Sequence, residues 1–162
     1  MKFISFKDNI SAENALIECE PRMYCIPDTA LHINKRPFFI PPFAVPCVMQ
    51  LRWAIRIVRL GRNISARFAT RYYDAATLCA HFAAPALPPS QGLCFDDCLT
   101  VGEWQNHTLV STETACRAIE EVSKFYTLRQ GDILLLEPHG NVKEVKIGEH
   151  VEVENYLNFN IK

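Results

Sequence analysis

The feature that most constrains the fold is the run Val-Met-Gln-Leu-Arg-Trp-Ala-Ile-Arg-Ile-Val-Arg-Leu at 48–60. It is rich in residues that suit a pleated, half-buried surface and stops at Gly61, so it predicts a strand with Trp53, Ile55 and Ile57 on one face. The rest of the chain repeats the theme in shorter pieces. Residues 2–6 alternate weakly, Ile133-Leu134-Leu135-Leu136 suits a buried strand, and Val142 to Ile161 alternates as a series of short strands. Four of the ten prolines fall in 37–46, which reads as an extended, irregular connection. Pro27-Asp28 marks a turn, and the proline-rich stretch 84–92 a loop. Ser65 is placed to cap a helix over about 66–80, and Thr112 a second over 113–126, where Ala115, Ile119 and Val122 recur at helical spacing and Glu120 and Lys124 stand four apart. The expected fold class is α+β: β-rich, with two main helices, in one domain over 1–162, divided into an N-terminal segment 1–46 and a core 47–162.

Charge and composition narrow the function. With 49% apolar and 22% charged residues the chain can bury a real core. A net charge of −1 argues against nucleic acid or anionic lipid as partner. No run approaches the roughly 18 apolar residues of a membrane helix, and the N-terminus lacks the pattern of a signal peptide, so a cytoplasmic protein is expected. The seven cysteines, an odd number without a Cys-x-x-Cys pair, read as buried hydrophobes rather than a zinc site or a disulfide set. None of the five histidines has a ligand partner at helical spacing. Asp96-Asp97 with Glu103 reads as a solvated turn, and Cys79 beside His81 as a buried thiol rather than a nucleophile. Arg52, Arg56, Arg59 and Arg62 do not hold one strand face throughout, so the favoured reading is not an anion site.

A set of short motifs in shared order carries more information. They run from Asn9-Ile10 through Pro27-Asp28-Thr29-Ala30-Leu31 and Pro37-Phe38-Phe39-Ile40-Pro41 to Arg56-Ile57-Val58-Arg59-Leu60-Gly61-Arg62-Asn63-Ile64. They continue with Arg67-Phe68-Ala69, Arg71-Tyr72-Tyr73-Asp74-Ala75, Phe95-Asp96 and Gly102-Glu103-Trp104, and end with Ser123 to Leu128, Gly131-Asp132 and Val145-Lys146-Ile147-Gly148. In these motifs the chain resembles the fumarylacetoacetate hydrolase family over nearly its whole length. The resemblance implies that family's mixed β-sheet roll, here truncated at 84–92 and between Trp104 and Gln105, and a homodimer as assembly.

It also implies a site. The family holds magnesium or manganese through the two glutamates of a Glu-x-Glu strand and a later aspartate, and the metal acts as Lewis acid on a β-dicarbonyl acid. Aligned on the motifs, those positions fall on Gln50, Arg52 and His81. A glutamine offers one neutral oxygen, an arginine repels a cation, and a histidine suits softer metals. The family lysine falls on Leu93 and the early histidine near Glu13, while Asp96, Thr108 and Gly140 match family positions. The pocket candidates are therefore Gln50, Arg52, His81, Asp96 and Thr108, with no metal ligand assigned and no cofactor expected. The first expectation is a non-catalytic homologue, arising as a pseudoenzyme or by gene decay. The alternatives are an active magnesium or manganese enzyme acting on a small organic acid of the acylpyruvate class, with a site around Gln50, His81 and Asp96, and a non-catalytic binding or regulatory subunit that pairs with an intact paralogue.

Overall fold

The computed structural model describes all 162 residues. Its frame is a mixed nine-stranded sheet. Along the main path lie β2 (Met23–Ile26), β1 (Phe3–Phe6), β8 (Ile133–Pro138), β4 (Cys47–Ile57), β5 (Tyr73–Ala83), β6 (Leu99–Val101) and β3 (Leu31–Ile33). β7 (Gln105–Asn106) joins β5, and β9 (Lys143–Val145) joins β4. β1–β8 and β3–β6 are parallel; every other pairing is antiparallel. A separate hairpin, β10 (His150–Val153) with β11 (Leu157–Asn160), packs against this frame. The strand expected over 48–60 is β4, and the C-terminal alternation becomes β9, β10 and β11.

Each face of the sheet has its own core. On one, the helix α2 (Thr112–Ser123) sets Ala115, Ala118, Ile119 and Val122 against Ile4, Ile55, Ile57 and Leu134. Complete burial of Ile119 and Val122 contributes roughly 2 kcal/mol each. The helix starts one residue earlier than expected. Ser111 is its N-cap, its hydroxyl accepting from the Thr114 amide, and Glu113 sits in the positive first turn. On the other face, Phe159, Leu157 and Val151 of the hairpin, with Phe38, cover Phe3, Phe82 and Leu135. The rings of Phe38 and Phe82 stack at 3.8 Å.

The helix expected over 66–80 does not form, so only one of the two main helices exists. Ala66–Arg71 makes a 3-10 turn, and the chain then becomes the eleven-residue strand β5. Four alanines give that stretch helical propensity. Tertiary pairing overrides it: β5 is hydrogen-bonded to β4 along most of its length and to β6 and β7 on its other edge, and ten of its eleven residues are buried. The loop at 84–92 closes with a single helical turn, α1 (Pro89–Gly92).

Candidate functional site

β4 and β5 run side by side, and their register opposes Gln50 to His81 and Arg52 to Cys79. All four side chains are fully buried or nearly so, with Gln50, Arg52 and His81 at 0% exposure. Three of the five pocket candidates thus lie in one place. Asp96 and Thr108 do not join them. Asp96 is exposed in the turn before β6, and Thr108 is exposed in a 3-10 turn (His107–Leu109) whose Asn106 cap holds the Thr108 amide. Gln50 and His81 make their hydrogen bonds to Lys7, Asn14 and Leu93, and none to Asp96.

Two residues with no motif signal complete the cluster. Lys7 follows directly on β1, and Glu20 closes the strap 8–20 that leads to β2; both are buried. The Lys7 ammonium donates to Glu20 Oε2 at 2.8 Å, to Gln50 Oε1 at 2.8 Å and to the Asn14 carbonyl at 2.7 Å. Gln50 Nε2 donates to the same carbonyl at 2.9 Å, which ties the strap to β4. Glu20 also accepts from the Leu16 amide at 2.7 Å and from the Tyr24 hydroxyl at 3.0 Å. Leu16 and Ile17 pack on Ala83 and Leu93, so apolar contacts hold the strap down as well. Nothing in local spacing marks Lys7 or Glu20; both become part of the cluster only because the strap crosses the β4–β5 hairpin.

Arg52 has a different employment. The β4–β8 ladder loses register between Arg52 and Ala54, and such an irregularity leaves main-chain carbonyls without ladder partners. The guanidinium donates to the carbonyls of Leu135 and Leu136 on β8 and of Phe6 on β1, and to Ser5 Oγ at 3.0 Å. No carboxylate touches it. The cluster therefore holds two cations, Lys7 and Arg52, against one carboxylate, Glu20.

The electrostatics follow from that imbalance. Burial and the Arg52 charge pull Lys7 down to about 8, with Glu20 opposing them. Burial acts to raise Glu20, but the Lys7 hydrogen bond and charge, the Leu16 amide and Arg52 outweigh it and hold the carboxyl below its usual range. His81 is pushed down to about 4, chiefly by burial and further by Arg52 and Lys7, so it is neutral near pH 7. Its Nε2 lies 2.9 Å from the Leu93 carbonyl, and that acceptor assigns the proton to Nε2. Nδ1 is then a bare lone pair, and it is the one buried side-chain polar atom without a partner. Burial likewise raises the Cys79 thiol to about 12, which makes it inert.

This donor set does not fit a hard divalent cation. Gln50 Oε1 already accepts from an ammonium, Arg52 puts a fixed positive charge beside the position, and His81 offers a single imidazole lone pair. No group of three or more histidine, cysteine or acidic side chains in the fold is arranged to hold a metal. A cleft of about 580 Å³ opens on the outer side of the strap, between residues 10–19, Val48 and Pro85, and none of the buried cluster lines it.

No family model and no curated protein matches the sequence. Solved structures do match. A fumarylacetoacetate hydrolase family protein of Yersinia pestis CO92 superposes with a TM-score of 0.80 at 16% identity, over 99% of this chain and 93% of that one. A 5-carboxymethyl-2-hydroxymuconate delta-isomerase of Mycobacterium smegmatis gives 0.78 at 18% identity, over 99% and 76%. The fumarylpyruvate hydrolase of Pseudomonas aeruginosa, solved with Mn2+ and pyruvate, gives 0.77 at 13% identity, over 99% and 89%. From end to end, the chain carries the fold of the fumarylacetoacetate hydrolase family proteins.

Proposed function

We propose that this protein is a non-catalytic representative of that fold, in which an internal ion network takes the place of the metal centre. One observation carries the reading: the side chains at the three positions aligned with the metal ligands are buried and committed to structural partners. Gln50 binds Lys7 and the strap, Arg52 binds main-chain carbonyls of β8 and β1, and His81 binds Leu93. The Lys7 ammonium, held by three oxygens, is the cation of the cluster. Against the alternative of an active magnesium or manganese enzyme on an acylpyruvate-type acid stand the Arg52 charge and the exposed position of Asp96.

The test is thermal unfolding with and without millimolar Mg2+ or Mn2+, alongside an acylpyruvate cleavage assay. The reading expects no cation-specific rise in Tm and no metal-dependent turnover. A rise of several degrees, or turnover that a chelator abolishes, overturns it.

The reading includes a cytoplasmic location, supported by seven cysteines that all remain thiols; no helix is long and apolar enough to cross a membrane. It also includes pairing with a second copy, supported by the exposed Phe39, Phe43 and Val45 of the connection before β4. Light scattering of the purified chain decides that point.

A further inference from the structure

The connection from β4 to β5, residues 58–72, is rigidly held. Gly61 and Leu128 exchange both main-chain hydrogen bonds, at 3.0 and 2.8 Å. Asn63 and Ile64 donate to the Ser123 carbonyl and hydroxyl, each at 2.9 Å, and the Ala66 amide donates to Glu120 Oε2 at 2.7 Å. A Cβ at Gly61 would lie 2.5 Å from the Tyr72 ring, so the loop is also closely packed there. On this scaffold sits an open cleft of about 370 Å³ lined by Arg59, Arg62 and Arg71 with Ser65, Phe68 and Tyr72, and by no carboxylate.

Two of the three cleft guanidiniums, those of Arg59 and Arg71, are held against aromatic rings without being neutralised. Arg59 lies over Tyr72, 5.9 Å from the ring centre. Arg71 lies over Phe68 at 5.4 Å, and Arg67 shares that ring at 4.4 Å. None of these four arginines makes an ion pair, whereas Arg22, Arg56 and Arg117 each hold a carboxylate. Nearby acids are already engaged: Asp74 with Arg56, Glu120 with the Ala66 amide and Glu121 with Lys124. A chain with a net charge of −1 thus concentrates unpaired positive charge at one preformed place. Like charges so grouped repel one another unless an anion joins them.

We infer that this cleft binds an oligophosphate anion, of the pyrophosphate class, free or as the tail of a small phosphorylated molecule. Each guanidinium fork matches two oxygens of one phosphoryl group. Three forks around one cleft match a chain of phosphoryl groups and exceed what a single carboxylate can use. The aromatic faces hold two of these planar cations from one side and leave N–H edges for the ligand. The cleft lies at the far end of β4 from Gln50. Seven residues of strand separate that glutamine from Ile57, roughly 23 Å. The inference therefore stands whether or not the buried cluster is catalytic.

The experiment is a calorimetric titration of the full chain with sodium pyrophosphate and with orthophosphate, at ionic strength matched with NaCl. Arg59→Gln, Arg71→Gln and a control, Arg36→Gln, are run in parallel. All three side chains are exposed, so the variants are expected to fold. The expected result is saturable, one-site binding of pyrophosphate, at least about tenfold tighter than orthophosphate, weakened about tenfold by either cleft substitution and unchanged by the control. Absence of saturation, equal weakening by Arg36→Gln, or saturation by a single-stranded oligonucleotide but not by pyrophosphate overturns the inference.

Discussion

Replacing Glu20 by Gln removes the sole carboxylate from a buried cluster that retains two cations, and the size of the effect can be bounded. Lys7 titrates near 8 in the fold against an ordinary value of 10.5. Near pH 7 its charged form already costs about 3 kcal/mol relative to an amine in water, at about 1.4 kcal/mol per pH unit. Without Glu20, burial and Arg52 are opposed only by Glu137, and its folded value falls further. The amine then escapes by losing its proton, so this route adds no more than about 1.4 kcal/mol at pH 7. Arg52 has no such escape, and the weaker acceptor offered to the Leu16 amide and the Tyr24 hydroxyl adds about 1 kcal/mol. The sum is a loss of roughly 2–4 kcal/mol, or roughly 4–16 °C in Tm for a domain of this size. The decisive readout is the pH dependence of urea unfolding. In the parent, Lys7 makes stability climb from about pH 8, because the unfolded chain binds its proton more tightly from there up to 10.5. In Glu20→Gln the climb begins at a lower pH than in the parent, at a slope near 1.4 kcal/mol per unit. In the double variant Lys7→Met, Glu20→Gln it disappears. A Glu20→Gln profile that stays flat between pH 7 and 8 refutes the account of a Lys7 ammonium balanced by Glu20.

Other parts of the fold give further expectations. His81 has its folded value lowered, so the unfolded chain binds its proton first as pH falls; stability should fall by up to about 3 kcal/mol between pH 6.5 and 4, and His81→Gln should flatten that limb of the denaturation profile. Arg52→Leu strands the carbonyls of Leu135, Leu136 and Phe6 in the interior and should cost at least about 3 kcal/mol in urea unfolding, whereas release of a buried charge with no net loss would show the guanidinium to be dispensable. Ser111→Ala removes the N-cap of α2 and should cost about 1 kcal/mol, read as a lower unfolding midpoint with an unchanged slope. Gly61→Ala meets the Tyr72 ring and should destabilise by about 1–3 kcal/mol, with loss of the ordered 58–72 connection visible in amide exchange.

Elements marked by apolar alternation were legible in the sequence because burial enforces period two. β4, β8 and the C-terminal strands lie where their patterns place them. β5 was not legible. Its side chains are buried on both faces, so it carries no alternation, and its alanines read as helix. The site divides in the same way. Gln50, Arg52 and His81 could be placed because they sit on strands whose flanking motifs fix the register. Lys7, Glu20, Ser5 and Tyr24 could not, since Glu20 reaches the cluster on a strap whose path depends on the three-dimensional crossing over β4 and β5, and the other three meet it from β1, its end and β2. Arg59 and Arg62 show the limit of a one-dimensional argument. Taken as strand residues, Arg59 falls on the opposite face from Arg52, Arg56 and Arg62. Yet β4 ends at Ile57, and the turn beyond it brings Arg59 and Arg62 to Arg71 across one cleft.

The polar side chains of the buried cluster are coupled through shared contacts. An arginine placed among carboxylates that hold a divalent cation would compete with the metal. With Gln50 and His81 at the other two positions that competition is gone, and the guanidinium turns to carbonyls of β8 and β1. A second cation, Lys7, then needs an anion, and the strap delivers Glu20 to it, pinned by Leu16 and Ile17. Placing one carboxylate in the cluster, as in Arg52→Glu, therefore should not create metal binding. It would remove the clamp on three carbonyls while leaving the Lys7 ammonium at the centre, and the expected outcome is a less stable protein with no Mn2+-dependent rise in Tm. A single Arg52→Glu exchange that gains such a rise would show that the cluster accommodates a metal, and that Lys7 yields its place.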